Sequence, residues 1–109
     1  MSDTVPAAVS SLSQAGELYK GSPREPSGLS DTDLMLMVKK GKSGAFEVLV
    51  RRYQQPLLNF FRRMGASIDD AEDLIQETFL RLYAYRKRYR DSGKFTSLLY
   101  VLAKHAWAD

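Results

Sequence analysis

Cysteine is absent from this sequence, so disulfides, thiolate nucleophiles and cysteine metal sites are excluded within it, and redox chemistry with them. There is one histidine, His105, and it has no acidic partner or nucleophile at a diagnostic spacing, which argues against a catalytic role. No glycine-rich phosphate loop and no metal-ligand spacing occur, so an enzyme is not expected and neither a cofactor nor a metal is implied. No apolar run approaches membrane-spanning length, and the start of the chain lacks the basic and apolar regions of a signal peptide. The expected setting is the cytoplasm. Proline is scarce, and three of the four residues, Pro6, Pro23 and Pro26, lie before Gly28 among serine, alanine and glycine. That compositional shift predicts a flexible tail over 1–28, with one short helical turn near Leu18, and a folded domain over 29–109.

What remains is helical in pattern. The sequence has 109 residues, enough for one modest core, with 44% hydrophobic residues and 27% charged. Ser30 or Asp31 can cap a helix that closes on Lys39 and Lys40 before Gly41, with Leu34, Met35, Met37 and Val38 as its apolar side. A second helix is predicted from Ser43 or Gly44 to Met64, because Ala45, Phe46, Leu49, Tyr53, Leu57, Phe60, Phe61 and Met64 recur at three- and four-residue steps. Pro56 interrupts that period without ending it, which predicts a kink rather than a break. A third helix is predicted from Asp69, capped by Asp69 and Glu72, with Ile68 as an entry staple. The last spans Phe95 to Ala108, after a turn centred on Gly93. No strand pattern and no repeat appear, so the fold class is all-α, a compact bundle of three or four helices.

The third segment, DDAEDLIQETFLRLYAYRKRYRD from Asp69 to Asp91, is unusual in its charge. Ala66 to Leu80 holds five acids and no base, a net of −5, whereas Arg81 to Asp109 holds seven bases and two acids, a net of +5. Ala71, Leu74, Ile75, Thr78, Phe79, Leu82, Tyr85 and Tyr89 fall on one side of a helical wheel and form the core stripe. Asp73, Gln76, Glu77, Ala84, Lys87 and Arg88 fall opposite, with Leu80 and Tyr83 among them. Two readings of Leu80 stay open: ordinary surface scatter, or an anchor awaiting a partner. The acids at the helix start also suit the helix dipole.

In the last segment, Phe95, Leu98, Leu99, Leu102, Ala103 and Ala106 face inward, and Thr96, Tyr100, Lys104 and Trp107 outward. Aromatic rings interleaved with cations suit unpaired bases, each stacked base contributing about 1–3 kcal/mol while the cations follow the phosphates. The alternative is that Tyr100 and Trp107 are covered by other parts of the protein.

These residues together resemble region two of bacterial RNA polymerase sigma factors, most like the extracytoplasmic-function class. The resemblance covers about Leu29 to Asp109 and rests on AFEVLVRRYQQPLLNFFRRM, then DAEDLIQETFLRLY, then F-x-x-x-LY-x-x-A-K-x-x-x-x-D. It implies that the acidic helix faces the clamp helices of the polymerase β′ subunit through Asp73, Gln76 and Glu77, with Leu80 and Tyr83 beside them. It further implies that promoter DNA, especially the melted non-template strand, is held by Arg88, Arg90, Asp91, Ser92, Gly93, Lys94, Thr96, Tyr100, Lys104, His105 and Trp107, the loop before the last helix taking a flipped base. Such a protein recognises and melts the promoter element nearest the start site and so directs transcription initiation. An anti-sigma factor can occupy similar surfaces, which keeps a protein-interaction module as the second reading. The family commonly has Trp at Leu98, Arg at Val101 and Asn at His105, so promoter preference does not carry over. A complete member continues through a linker to a second helical domain, and the sequence is therefore expected to be one domain of such a protein.

Overall fold

A computed structural model describes residues 28–91 and 93–109. The expected tail and the helical turn near Leu18 lie outside the described residues. Four α-helices follow in order: α1 (Asp31–Lys39), α2 (Ser43–Arg63), α3 (Ile68–Tyr85) and α4 (Phe95–Ala108), with a 3-10 turn (Arg86–Arg88) after α3. No strand occurs among the described residues.

Local chemistry fixes most of the helix ends. The Ser30 hydroxyl accepts from the Asp33 backbone N–H, and the Asp33 carboxylate accepts from the Ser30 N–H, a reciprocal cap at the start of α1. α1 and α2 both end in paired reverse hydrogen bonds. Gly41 N–H donates to the Val38 carbonyl and Lys42 N–H to Met37; Gly65 N–H donates to Arg62 and Ala66 N–H to Phe61. That geometry needs a left-handed residue, and Gly41 and Gly65 supply it with φ of 95° and 108°. α2 runs through Pro56 unbroken. An interior proline costs about 3 kcal/mol, and burial of Leu57 and Phe61 on its C-terminal side offsets this.

α3 differs from expectation at both ends. Its cap is Ser67, whose hydroxyl accepts from Asp70 N–H at 3.0 Å, so Asp69 lies inside the first turn and does not head a capping box with Glu72. Ser67 stands three residues before Asp70, the spacing an N-cap hydroxyl requires. Ile68 thereby becomes the first helical residue and is 54% exposed instead of stapling the entry. At the other end the helix stops at Tyr85, tightens into the 3-10 turn and leaves Tyr89 extended. Tertiary burial explains this: Tyr89 is only 3% exposed, its ring lies edge-on to Phe95, and its hydroxyl is 3.0 Å from the Thr32 Oγ1 of α1.

α2 is the spine of the core. Phe46, Leu49, Val50, Leu57 and Phe61 are buried on it, against Leu34, Met35 and Val38 of α1 and Ile75, Phe79 and Leu82 of α3, while Leu99 and Ala103 of α4 close the side of α3. Phe79 has no exposure and meets Phe46 edge-on at 6.1 Å. Thr78, buried among apolar neighbours, donates its hydroxyl to the Leu74 carbonyl and leaves no unpaired donor. Phe79→Ala is expected to destabilise the chain by about 3–5 kcal/mol, and Ser67→Ala by about 1 kcal/mol, in urea titrations followed by circular dichroism. A smaller loss for Phe79→Ala than for Ser67→Ala contradicts this packing.

Candidate functional site

The acidic flank is built by the start and outer side of α3. Asp69, Asp70 and Asp73 are exposed; Gln76 and Glu77 are half-exposed. Glu77 is engaged: the Arg81 Nε donates to its carboxylate at 2.7 Å, and the other arm of the same guanidinium donates to Asp109 at 2.6 Å. These bonds, Glu77 first and Asp109 second, raise the Arg81 pKa above its ordinary value. They also tie the end of α4 to the middle of α3.

Leu80 and Tyr83 do not stand out from this flank as an apolar spot. Both are half-buried and pack against the core. The Tyr83 ring lies edge-on to Phe46 at 5.3 Å and carries the Arg86 guanidinium 4.1 Å from its centre. The reason is geometric: α3 is flanked by α2 on one side and α4 on the other, so its packed surface is wider than the stripe that a wheel centred on Ile75 and Phe79 marks out. The large apolar side chain that α3 leaves in solvent is Ile68.

The basic flank begins where α3 ends. Arg86 does not belong to its outer surface; it is 8% exposed and donates to the Tyr83 carbonyl at 2.9 Å. Lys87, Arg88, Arg90, Asp91, Gly93 and Lys94 are exposed, and Ser92 lies outside the described residues. Lys39 of α1, which sequence reasoning read only as a helix-ending base, donates its Nζ to the Tyr89 carbonyl at 2.7 Å and so joins this flank.

On α4, Thr96, Lys104 and His105 are exposed, while the two aromatics are partly covered. Tyr100 packs edge-on to Phe60 at 5.2 Å, and Trp107, 39% exposed, lies nearly parallel to Phe61 with ring centres 6.4 Å apart. Neither expectation for these rings holds in full, because α2 supplies a row of rings beneath them. Tyr53 and Phe60, read from sequence as part of the apolar period of α2, pack against the core and are partly exposed members of this row. The sequence signal was available: Phe60 and Phe61 are adjacent, about 100° apart on the helix, and cannot both face one way. Tyr53 donates its hydroxyl to Asp31 at 2.5 Å and lies 3.2 Å from the Thr96 hydroxyl, joining α1, α2 and α4 at one point. Arg52 reinforces this point by donating to Asp31 at 2.8 Å and to the Leu29 carbonyl at 2.7 Å.

Fold and surface together define a class: a small helical module that offers an anionic flank and a separate cationic, ring-bearing flank. Residues 49–109, more than half of the chain, match the family described as Sigma-70 region 2. Among curated relatives, the RNA polymerase sigma-H factor of Pseudomonas aeruginosa is 32% identical over 73 residues, covering 67% of this chain and 38% of that protein. The ECF RNA polymerase sigma factor SigW of Bacillus subtilis is 33% identical over 72 residues, covering 66% and 38%. The ECF RNA polymerase sigma-E factor of Escherichia coli is 35% identical over 75 residues, covering 69% and 39%. No solved structure matches the chain significantly. The chain belongs to the sigma-70 region 2 family. It spans about two fifths of the length of these curated relatives.

Burial, followed by the hydrogen bond to Asp31, raises the Tyr53 pKa above its ordinary value of 10.0. The folded state therefore holds this proton more tightly than the unfolded chain, and the associated stability, complete below pH 10, is lost as pH rises through the folded value. Urea midpoints compared at pH 8 and at pH 10.5 are expected to fall less in Tyr53→Phe than in the parent. Equal losses contradict the assignment of this tyrosine as an alkaline-sensitive tie.

Proposed function

We propose that this chain is the part of a sigma factor that docks on core RNA polymerase through α3 and holds promoter DNA, at the element nearest the start site, through the basic turn and α4. The relatives bear the names of RNA polymerase sigma factors, three of them cited above. The observation that carries the reading is the separation of charge along α3. Its 18 residues span about 27 Å at ~1.5 Å per residue, with Asp69, Asp70 and Asp73 at or near the start and Lys87, Arg88 and Arg90 just past the end. That length is about three times the screening distance of ~8–10 Å at physiological salt. The acids of the first turn are therefore screened from the basic turn, and Asp73, about 18 Å from the helix end at ~1.5 Å per residue, largely so, which suits one flank to a cationic protein surface and the other to nucleic acid.

In this reading Asp73, Gln76 and Glu77 meet the polymerase β′ clamp helices, while Leu80 packs on the core beside them and Tyr83 on Phe46 of α2. Arg81 presents Glu77 in one orientation. On the DNA side, Arg88, Arg90, Lys94 and Lys104 follow phosphates, Tyr100 and Trp107 offer ring faces to bases leaving the duplex, and the 90–94 loop with Thr96 and His105 lines the path between. Stacking contributes about 1–3 kcal/mol per base, comparable to the ~1.4 kcal/mol mean of a duplex stacking step. Each captured base thus offsets about one disrupted step. Binding energy, not bond making, drives the process. Nonspecific DNA affinity from a few phosphate contacts is of order 10⁻⁴–10⁻⁶ M at physiological salt, so promoter choice depends on the polymerase holding this module in place. The proposed setting is the cytoplasm; among the described residues no helix is long and apolar enough to cross a membrane.

Pull-down with core RNA polymerase tests the assignment of flanks. Asp73→Lys is expected to reduce polymerase recovery by about tenfold or more, as expected for reversing a charge in a complementary interface, and to leave crosslinking to promoter DNA intact. Lys94→Glu with Lys104→Glu is expected to do the reverse. Unchanged polymerase recovery with Asp73→Lys removes α3 as the docking surface.

A further inference from the structure

Beside the 3-10 turn, on the side facing α1, lies an open cleft of about 540 Å³ lined by Lys39, Tyr85, Lys87, Arg88 and Arg90. Four of its five lining residues are cations and none is an acid. Lys87, Arg88 and Arg90 are exposed and have no carboxylate partner among the described residues. Like charges drawn together on so short a segment repel, and the fold holds them there with buried contacts. Arg86 is locked under the turn by the Tyr83 carbonyl and ring. Tyr89 is buried, with its carbonyl accepting from Lys39 and its hydroxyl against Thr32. These contacts anchor the turn and set three exposed cations beside a fourth, Lys39, that is hydrogen-bonded to it, an arrangement suited to an anion with several oxygens.

The chemistry of the lining narrows that anion. Tyr85 is its one ring and is half-buried, so the cleft cannot stack successive bases as Tyr100 and Trp107 can. It suits a phosphate chain whose bases are occupied elsewhere, which is the condition of a paired strand. We propose that this cleft is a phosphate-binding site for the backbone of double-stranded DNA, in which Lys39 and Lys87 join Arg88 and Arg90 and seat the duplex beside the segment that opens. The inference rests on the DNA reading of the basic flank and extends it to α1, which neither the charge pattern nor the resemblance placed on DNA.

Fluorescence anisotropy of the full chain with a labelled 30-bp duplex and with a single strand of the same sequence, each across a series of salt concentrations, tests the site. Each lost duplex phosphate contact lowers the slope of log K against log salt by about 0.9. Lys87→Gln is expected to lower the duplex slope by about 0.9, and Lys39→Gln with Lys87→Gln by about 1.8, with the single-strand slope unchanged in both. The Lys87 side chain is exposed, so Lys87→Gln is expected to melt at the parent's temperature and keeps the test valid if removing the Lys39 bond to Tyr89 weakens the fold. An unchanged duplex slope in Lys87→Gln, or equal losses on duplex and single strand, overturns the proposal while leaving the promoter reading in place. A parent chain that binds neither probe overturns that reading as well. Sodium tripolyphosphate, added at matched ionic strength, separates the sources of phosphate. Displacement of the duplex from the parent but not from Lys87→Gln supports the site, whereas saturable tripolyphosphate binding with an unchanged duplex slope makes it a small-anion site and overturns the duplex assignment.

Discussion

The seating of α3 on α2 through Phe79 and Phe46 is the contact on which the surfaces of this protein depend. α3 carries acidic residues at its start and leads into basic residues at its end, and its rotation about its own axis decides which of them reach solvent. Phe79 is completely buried and meets Phe46 edge-on, with Ala71, Ile75 and Leu82 buried along the same side. Turning α3 by one residue, about 100°, would expose these and bury carboxylates, at a cost no small domain can sustain. The hydrophobic core thus sets the register of the surfaces presented to partners.

A second constraint acts at the junction after α3. Tyr89 returns to the core and grips α1, while Tyr53 holds Asp31 and Thr96 together. Tyr89 thereby fixes the end of the basic turn against α1, and Tyr53 fixes the start of α4 beside it. Arg81 adds a link from α3 to the end of α4. In the proposed function, these ties keep the promoter-facing side in fixed relation to the polymerase-facing side, so that docking of one places the other.

Much of this was legible in the sequence, and the reasons differ by element. The bounds of α1, α2 and α4 followed from local signals: a cap candidate at Ser30 or Asp31, of which Ser30 is the one used, the glycines at 41 and 65, and unbroken periodicity from Phe95 to Ala108. At the start of α3 sequence reasoning placed the cap at Asp69 and passed over Ser67 two residues earlier, whose hydroxyl caps the helix, because an aspartate followed by Glu72 fits the same local pattern. Its end was hidden because burial of Tyr89 against α1 is a contact between residues 57 apart in sequence. The charge segregation was visible, but the inward position of Arg86 was not, since an arginine within a basic run carries no mark of burial. Leu80 and Tyr83 were placed outside because a helical wheel assumes one packing partner, whereas α3 has two. Tyr53 and Phe60 show the converse: their place in the apolar period of α2 did not reveal that their rings also meet Phe95 and Tyr100 of α4 at the border of the surface.

In the proposed function, the two ends of α3 serve different macromolecules. Hydrogen–deuterium exchange on the chain bound to core RNA polymerase, before and after promoter DNA is added, tests it most directly. Protection is expected over residues 69–77 when polymerase binds, with additional protection over residues 87–107 only once DNA is present. Protection of 87–107 by polymerase alone, with 69–77 unchanged, would contradict it.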